Sequence, residues 1–269
     1  MHKLADSHIH LFNGGYLQSG VDEVTEYEIL LRKFPIDAAL VVGYEGQSWA
    51  RGNNNYIAEL AKTREWIYPV AFLFPEQLTL THLESLQSQN FIGISLYIFT
   101  EEEIDQINHV SDEVWRWLSN EGWLISLNSQ GVILPLWESI LKKFPELHLL
   151  LSHLSLPRVS SETPSEGELA TELANQRALH QFENVHIKMS GYYSFETSTP
   201  RFPYKRIEPY VKYILNNFDS SRLIWGSDFT PALADVTFEE TFIHLNQWVA
   251  NDDLRSKVLH GNLMKLLRQ

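Results

Sequence analysis

The chain has 269 residues, 44% of them apolar and 20% charged, a globular composition long enough to bury one large core. Its formal charge of −13 sets 34 Asp and Glu against 21 Lys and Arg, which repels polyanions and excludes nucleic acid as a partner. Cysteine is absent, so disulfides, thiolate metal sites and cysteine nucleophiles are excluded as well.

The first predicted strand, residues 4–10 (LADSHIH), carries two histidines one residue apart. Successive side chains of a regular strand point to opposite faces, so His8 and His10 are expected to share a face with Asp6 while Ser7 and Ile9 share the other. Seven further short apolar runs follow at 38–43, 67–73, 91–98, 123–128, 147–152, 185–190 and 222–227. Several are almost continuously hydrophobic, the pattern of parallel strands buried on both faces. Between them lie helical patterns at 24–34, 55–64, 79–89, 111–122 and 134–144, with Ser111 as a start signal and Gly122 as the matching stop. The segments LLRKFPIDAALVV (30–42) and SILKKFPELHLLLS (139–152) each run from helix through Lys-Phe-Pro into strand, using proline as a terminator. Residues 156–168 and 192–203, rich in Ser, Thr, Pro and Glu, are expected to be loops. Eight strands alternating with helices predict a single-domain α/β chain over residues 1–269, a (β/α)8 TIM barrel. Neither a G-x-G-x-x-G nor a G-x-x-x-x-G-K-[ST] motif is present, which sets aside the common nucleotide-binding sheets.

In such a barrel the polar residues at the C-terminal strand ends converge on one mouth. These are His8 and His10 on the first strand, Asn128 on the fifth, His153 on the sixth, Lys188 and Ser190 on the seventh and Asp228 on the eighth. Imidazoles with a carboxylate suit a divalent metal such as zinc or manganese, and they equally suit acid/base work on a water molecule. Lys188 either meets a substrate group or forms a buried ion pair in the wall. Tyr44, Arg51, Asn53, Tyr97, Arg158, Tyr192 and Arg201 stand on mouth loops and are candidates for substrate contact. Trp115, Trp117 and Trp137 fall in helical segments and read as wall packing.

The segments DSHIHLF (6–12), LLLSHLSLP (149–157), VHIKMSGYY (185–193), RLIWGSDFTP (222–231) and HGNLMKLL (260–267) together resemble the amidohydrolase-related TIM-barrel family. The K-x-S-G and G-S-D-x-P elements are similar to those of its lactonase branch, which includes sugar lactonases and pyrone-dicarboxylate lactonase. The resemblance implies a hydrolase whose catalytic residues are His8, His10, His153 and Asp228. His8, His10 and Asp228 are the expected metal ligands, and Arg51, Tyr97, Asn128, Arg158, Lys188 and Tyr192 the expected substrate contacts. Metal-dependent relatives usually supply a further histidine from the fifth strand, where this chain has Asn128, a poor ligand for zinc. The substitution leans toward a lactonase and leaves metal dependence open. The alternative enzyme reading is a metal-dependent decarboxylase or hydratase of a small unsaturated acid; a non-catalytic ligand-binding barrel is the reading from another class. With no apolar leader or membrane-length run in the sequence, the expected setting is the cytoplasm, with a small-molecule substrate, no membrane partner and room for a homo-oligomer.

Overall fold

The computed structural model describes residues 2–249 and 251–268. Eight parallel strands form one sheet in chain order: β1 Leu4–Ile9, β2 Ile36–Val42, β3 Ile67–Phe72, β4 Gly93–Ile98, β5 Leu124–Ser129, β6 His148–Leu151, β7 Val185–Met189 and β8 Leu223–Trp225. The sheet curls until its edges meet. The Asp228 N–H donates to the His8 carbonyl at 2.9 Å, the His10 N–H donates to the Phe229 carbonyl, and Ile9 bridges to Phe229 in parallel register. The expected (β/α)8 barrel is the fold observed.

The expected helices form at Glu23–Lys33, Asn53–Ala61, Leu80–Gln87, Asp112–Asn120 and Leu134–Lys143. The two Lys-Phe-Pro junctions behave alike. Phe34 donates its N–H to Leu30 O and Phe144 to Ile140 O, each closing the last helical turn before proline forces the chain out into β2 or β6. Ser111 stands at the N-cap of its helix, although its hydroxyl makes no capping bond there. The stretch 156–168 is irregular until Ser165 caps a helix over Glu166–Glu172, and within 192–203 a 3₁₀ turn covers Tyr192–Phe195. Helices at Glu101–Asn108 and Glu208–Asn217 complete much of the outer ring. No helix among the described residues is long and apolar enough to cross a membrane.

The barrel has two cores. The larger one lies between strands and helices, where Trp115 and Trp137 meet edge to face at 5.8 Å. The smaller lies at the base of the barrel: Ala5, Leu40, Val70, Leu124, Leu150 and Ile224 pack against Leu263 and Leu266. These leucines belong to the C-terminal helix Asn262–Leu266, which is tied to the barrel by Asn262 Nδ2 donating to Ser220 O and Leu223 O at 2.7 and 2.8 Å. The HGNLMKLL segment is therefore a plug for the base, far from the chemistry. Each fully buried leucine there contributes about 1.5–3 kcal/mol of transfer free energy.

Candidate active site

Four side chains meet at the mouth end of the barrel interior. His8 and His10 leave β1 with their Nε2 atoms 3.1 Å apart, and each Nε2 lies 3.7 Å from Asp228 Oδ1. His153 approaches from the other side, its Nε2 4.0 Å from Asp228 Oδ2. All four are buried.

Asp6 does not join them. A register shift between Asp6 and Ile9 breaks the two-residue alternation of β1. The Asp6 carboxylate instead accepts the Ser227 N–H at 2.8 Å, the His8 N–H at 3.2 Å and the Tyr27 hydroxyl, from the helix Glu23–Lys33, at 3.2 Å. This buried carboxylate ties the end of β1 to the Gly226-Ser227-Asp228 turn and to the surrounding helix. A Cβ on Gly226 would stand 2.9 Å from His8 Cβ, so glycine is what lets the two strand ends approach.

His153 opens a left-handed turn. It and the next three residues, Leu154, Ser155 and Leu156, have φ between 45° and 57°, and Asp228 has φ 59°. Such backbone costs an L-residue about 1–2 kcal/mol and marks positions where the surroundings dictate geometry.

The support comes from β7 and the turn after it. Lys188 Nζ lies 3.1 Å from His8 Nδ1 and donates to Ser126 Oγ at 2.7 Å. Ser190 Oγ lies 3.0 Å from His153 Nδ1. A Cβ on Gly191, whose φ is +70°, would fall 2.4 Å from His153 Nδ1, so this position must be glycine for the imidazole to sit where it does. Tyr193 donates its hydroxyl to Asp228 Oδ2 at 2.7 Å. The segment 188–193 thus braces every member of the cluster except His10, whose Nδ1 donates to the Val42 carbonyl at 2.7 Å.

Burial governs the electrostatics. It pushes His8 well below the ordinary imidazole range, lowers His10, and brings His153 down to about 3, with Lys188 adding to the depression of His8 and His153. The imidazoles are therefore neutral at physiological pH. Burial raises the Asp228 carboxyl, opposed by His10, Tyr193 and Lys188, and lowers Lys188 to about 7. Tautomers follow from the partners. A carbonyl only accepts, so His10 carries its proton on Nδ1 and presents an Nε2 lone pair, to which His8 Nε2–H donates while Lys188 donates to His8 Nδ1.

A cavity of about 290 Å³ opens above the cluster. Its floor and one side are polar: His10, His153, Asp228, Asn128, Tyr97 and Tyr193. Another part of the wall is aromatic, with Phe12, Tyr16, Tyr44 and Trp49 in mutual contact at 4.8–6.2 Å between ring centres. This wall is anchored by Glu23, whose buried carboxylate accepts the N–H groups of Phe12 and Tyr16 at 2.7 and 2.5 Å. Asn128 Oδ1 is buried and has no hydrogen-bond partner.

Of the expected substrate contacts, the structure brings Tyr97 and Asn128 to the cavity. The other four stand elsewhere. Arg51 and Arg158 are exposed on their loops and do not line it; Arg158 borders a separate depression beside the helix Glu166–Glu172. Lys188 is 0% exposed and sealed beneath His8. Tyr192 packs into the wall against Tyr204, His244 and Trp248, because the 3₁₀ turn sends adjacent tyrosines in different directions and gives the cavity to Tyr193. Phe12, Tyr16, Trp49 and Tyr193 were not among the expected contacts; aromatic residues just past β1, β2 and β7 were the available signal.

The residues fit a divalent metal. His8, His153 and Asp228 offer ligand atoms that all lie within 4.8 Å of one another, and Ser190 Oγ stands on the second nitrogen of His153, as an acceptor does at metal-binding histidines; His8 would offer Nε2 in its other tautomer, with a neutral Lys188 accepting from Nδ1. The expected set, His8, His10 and Asp228, is equally compact, its atoms 3.1–3.7 Å apart. His10 remains beside the group, hydrogen-bonded to His8 and stacked on Phe12 at 5.8 Å.

The chain matches the amidohydrolase family over residues 5–269. A 145-residue stretch is 32% identical to the L-fucono-1,5-lactonase of Burkholderia ambifaria, covering 50% of this chain and 46% of that protein, so the match spans about half the length of the curated relative. Among solved structures, a zinc-bound amidohydrolase from Burkholderia multivorans superposes with a TM-score of 0.77 at 16% identity, covering 99% of both chains. A probable 2-pyrone-4,6-dicarboxylic acid hydrolase from Acinetobacter baumannii, with citric acid bound, gives 0.74 at 16% identity over 99% of this chain and all of that one. At these identities the structural matches establish the barrel alone.

Proposed function

The chain belongs to the amidohydrolase family, and from that premise and the geometry at the barrel mouth we propose that it opens a small, neutral, polyhydroxylated lactone by attack of an activated water. The observation that carries this reading is the convergence of three neutral imidazoles on one buried carboxylate at the floor of a cavity of about 290 Å³. The partial match to a fuconolactonase supports the same substrate class.

Asp228 takes the proton from water through Oδ1, the oxygen not engaged by Tyr193. His153, with Ser190 holding its Nδ1, polarises the lactone carbonyl through Nε2. The His8–His10 pair, fixed between Lys188 and the Val42 carbonyl, walls the Asp228 Oδ1 side and limits where the water can approach that oxygen. A divalent ion, when held by His8, His153 and Asp228, supplies Lewis acidity to the same carbonyl or water.

The cavity lining favours a neutral sugar-derived ring over a carboxylated one. Neither Arg nor Lys is among its described residues, so an anionic substituent would lack a partner, which also counts against the decarboxylase and hydratase alternatives. The aromatic side suits the C–H face of a pyranose-sized ring. On the polar side Asn128 offers its carboxamide to a substrate hydroxyl.

The test is hydrolysis followed with a pH indicator over a panel of aldonolactones and carboxylated lactones, before and after exhaustive chelation. Turnover of neutral 1,5-lactones in preference to carboxylated ones is expected. No turnover of any lactone, with or without added zinc or manganese, would overturn the reading.

A further inference from the structure

Hydrolysis of a lactone needs two proton movements. One proton leaves the attacking water, and one must reach the ring oxygen as its bond to the acyl carbon breaks, because expelling a bare alkoxide is slow. Asp228 provides for the first. Resting on the lactonase reading, we propose that Tyr193 provides for the second, as the proton donor to the departing ring oxygen.

Three observations place it there. Tyr193 lines the cavity and is half-buried, and its hydroxyl is held by the carboxylate of Asp228, which lines the same cavity. The hydroxyl is 2.7 Å from Asp228 Oδ2, while Oδ1 of the same carboxylate faces His8 and His10 Nε2 at 3.7 Å. The two oxygens thus face different neighbours, one toward the water side and one toward a phenol. Finally, Tyr193 is the tyrosine at the cavity whose hydroxyl is bonded to Asp228, whereas Tyr16, Tyr44 and Tyr97 line it without that bond.

The atoms balance. As water oxygen bonds to the carbonyl carbon, its proton passes to the Asp228 carboxylate. When the tetrahedral adduct collapses, the bond between acyl carbon and ring oxygen breaks and its electron pair stays on the ring oxygen. That oxygen takes the Tyr193 proton as the Asp228 carboxyl turns its protonated oxygen toward the phenol and donates to it, so Tyr193 gains one proton from Asp228 as it gives one to the leaving group. The product is the hydroxy acid, one water is consumed, and both side chains regain their starting states.

Tyr193→Phe in the full chain tests this, with Asp228 and the imidazoles untouched. The readouts are kcat on the best lactone of the panel, the inhibition constant of the matching lactam, and ¹⁸O in lactone recovered from H₂¹⁸O part-way through reaction. The expected result is a loss of kcat on the order of 10²- to 10³-fold, lactam binding unchanged within about threefold, and recovered lactone enriched in ¹⁸O, because an adduct that cannot expel its ring oxygen reverts to lactone. A kcat within about threefold of the parent overturns the proposal. So does a large loss without ¹⁸O enrichment, which would make Tyr193 a positioning residue for Asp228. A parent enzyme that hydrolyses no lactone sinks the function itself, whereas either Tyr193 failure leaves that function standing. A thermal transition within a few degrees of the parent confirms that the variant folds.

Discussion

At the mouth of the barrel, His153 through Leu156 and Asp228 hold left-handed backbone, and a lysine, three imidazoles and a carboxylate are buried, each within 4.0 Å of another member of the group. At the base, Ala5, Leu40, Val70, Leu124, Leu150 and Ile224 meet two leucines of the plug helix with no strained non-glycine backbone among them. One end spends conformational and desolvation energy to hold polar groups in place; the other gains free energy by removing apolar surface from water. The same eight strands serve both ends, so the barrel couples a stabilising base to a mouth that is costly to assemble. Stability and chemistry should therefore separate when the two ends are altered one at a time.

The sharpest break is Asp228→Asn. It should cut kcat by about 10³-fold or more and leave the melting temperature unchanged or higher, since it removes a buried charge; a retained rate would take Asp228 out of the chemistry. Leu263→Ala should do the reverse. Denaturant titration should show a loss of about 2–5 kcal/mol, with kcat per folded molecule unchanged; a matching fall in kcat would show that the base shapes the mouth. Gly191→Ala tests whether strain at the mouth is structural or functional. Its left-handed φ and the 2.4 Å approach to His153 predict a stability cost of about 1–3 kcal/mol together with a fall in kcat, because the imidazole has to move.

The base also has a pH signature. Burial holds His186 at about 4, against 6.5 for an exposed imidazole. Below pH 6.5 the unfolded chain binds the proton that the folded chain refuses, so stability falls as pH drops from 6.5 toward 4 and is fully present above 6.5. Urea midpoints measured across that window should decline in the parent and decline less in His186→Gln. The smallest effects belong to Arg51→Ala and Arg158→Ala, which should leave stability within about 0.5 kcal/mol and kcat/KM within a few-fold. A large rise in KM in either would mean that its loop folds over bound substrate.

The strands were legible because a parallel strand buried on both faces leaves an apolar run that no surface helix shows. The mouth was legible as far as strand ends predict it: His8, His10, His153 and Asp228 converge as the alternation of strands and helices implies. Arg51 and Arg158 miss the cavity because loop paths are not written in composition, and other inferences failed by assuming regular backbone. The alternation that grouped Asp6 with His8 holds only in a straight strand, and the register shift in β1 sends Asp6 to Tyr27 and Ser227 instead. Choosing between Tyr192 and Tyr193 needed the direction of a 3₁₀ turn, which composition does not encode. The helix Glu101–Asn108 did leave a trace, since Thr100 and Glu103 form a reciprocal capping box that is readable as T-E-E-E.

Ser227 donates to Asp6 from 221 positions farther along the sequence, and the plug helix lies farther along still. On a ribosome adding about 5–20 residues each second, the segment bearing His8 and His10 waits roughly 11 to 44 s for the turn that completes its geometry. Until then the nascent barrel has an open seam and no assembled carboxylate–imidazole cluster. The cluster is thus completed late in synthesis, and a truncated translation product ending before residue 223 would lack it however well its first seven strands pair.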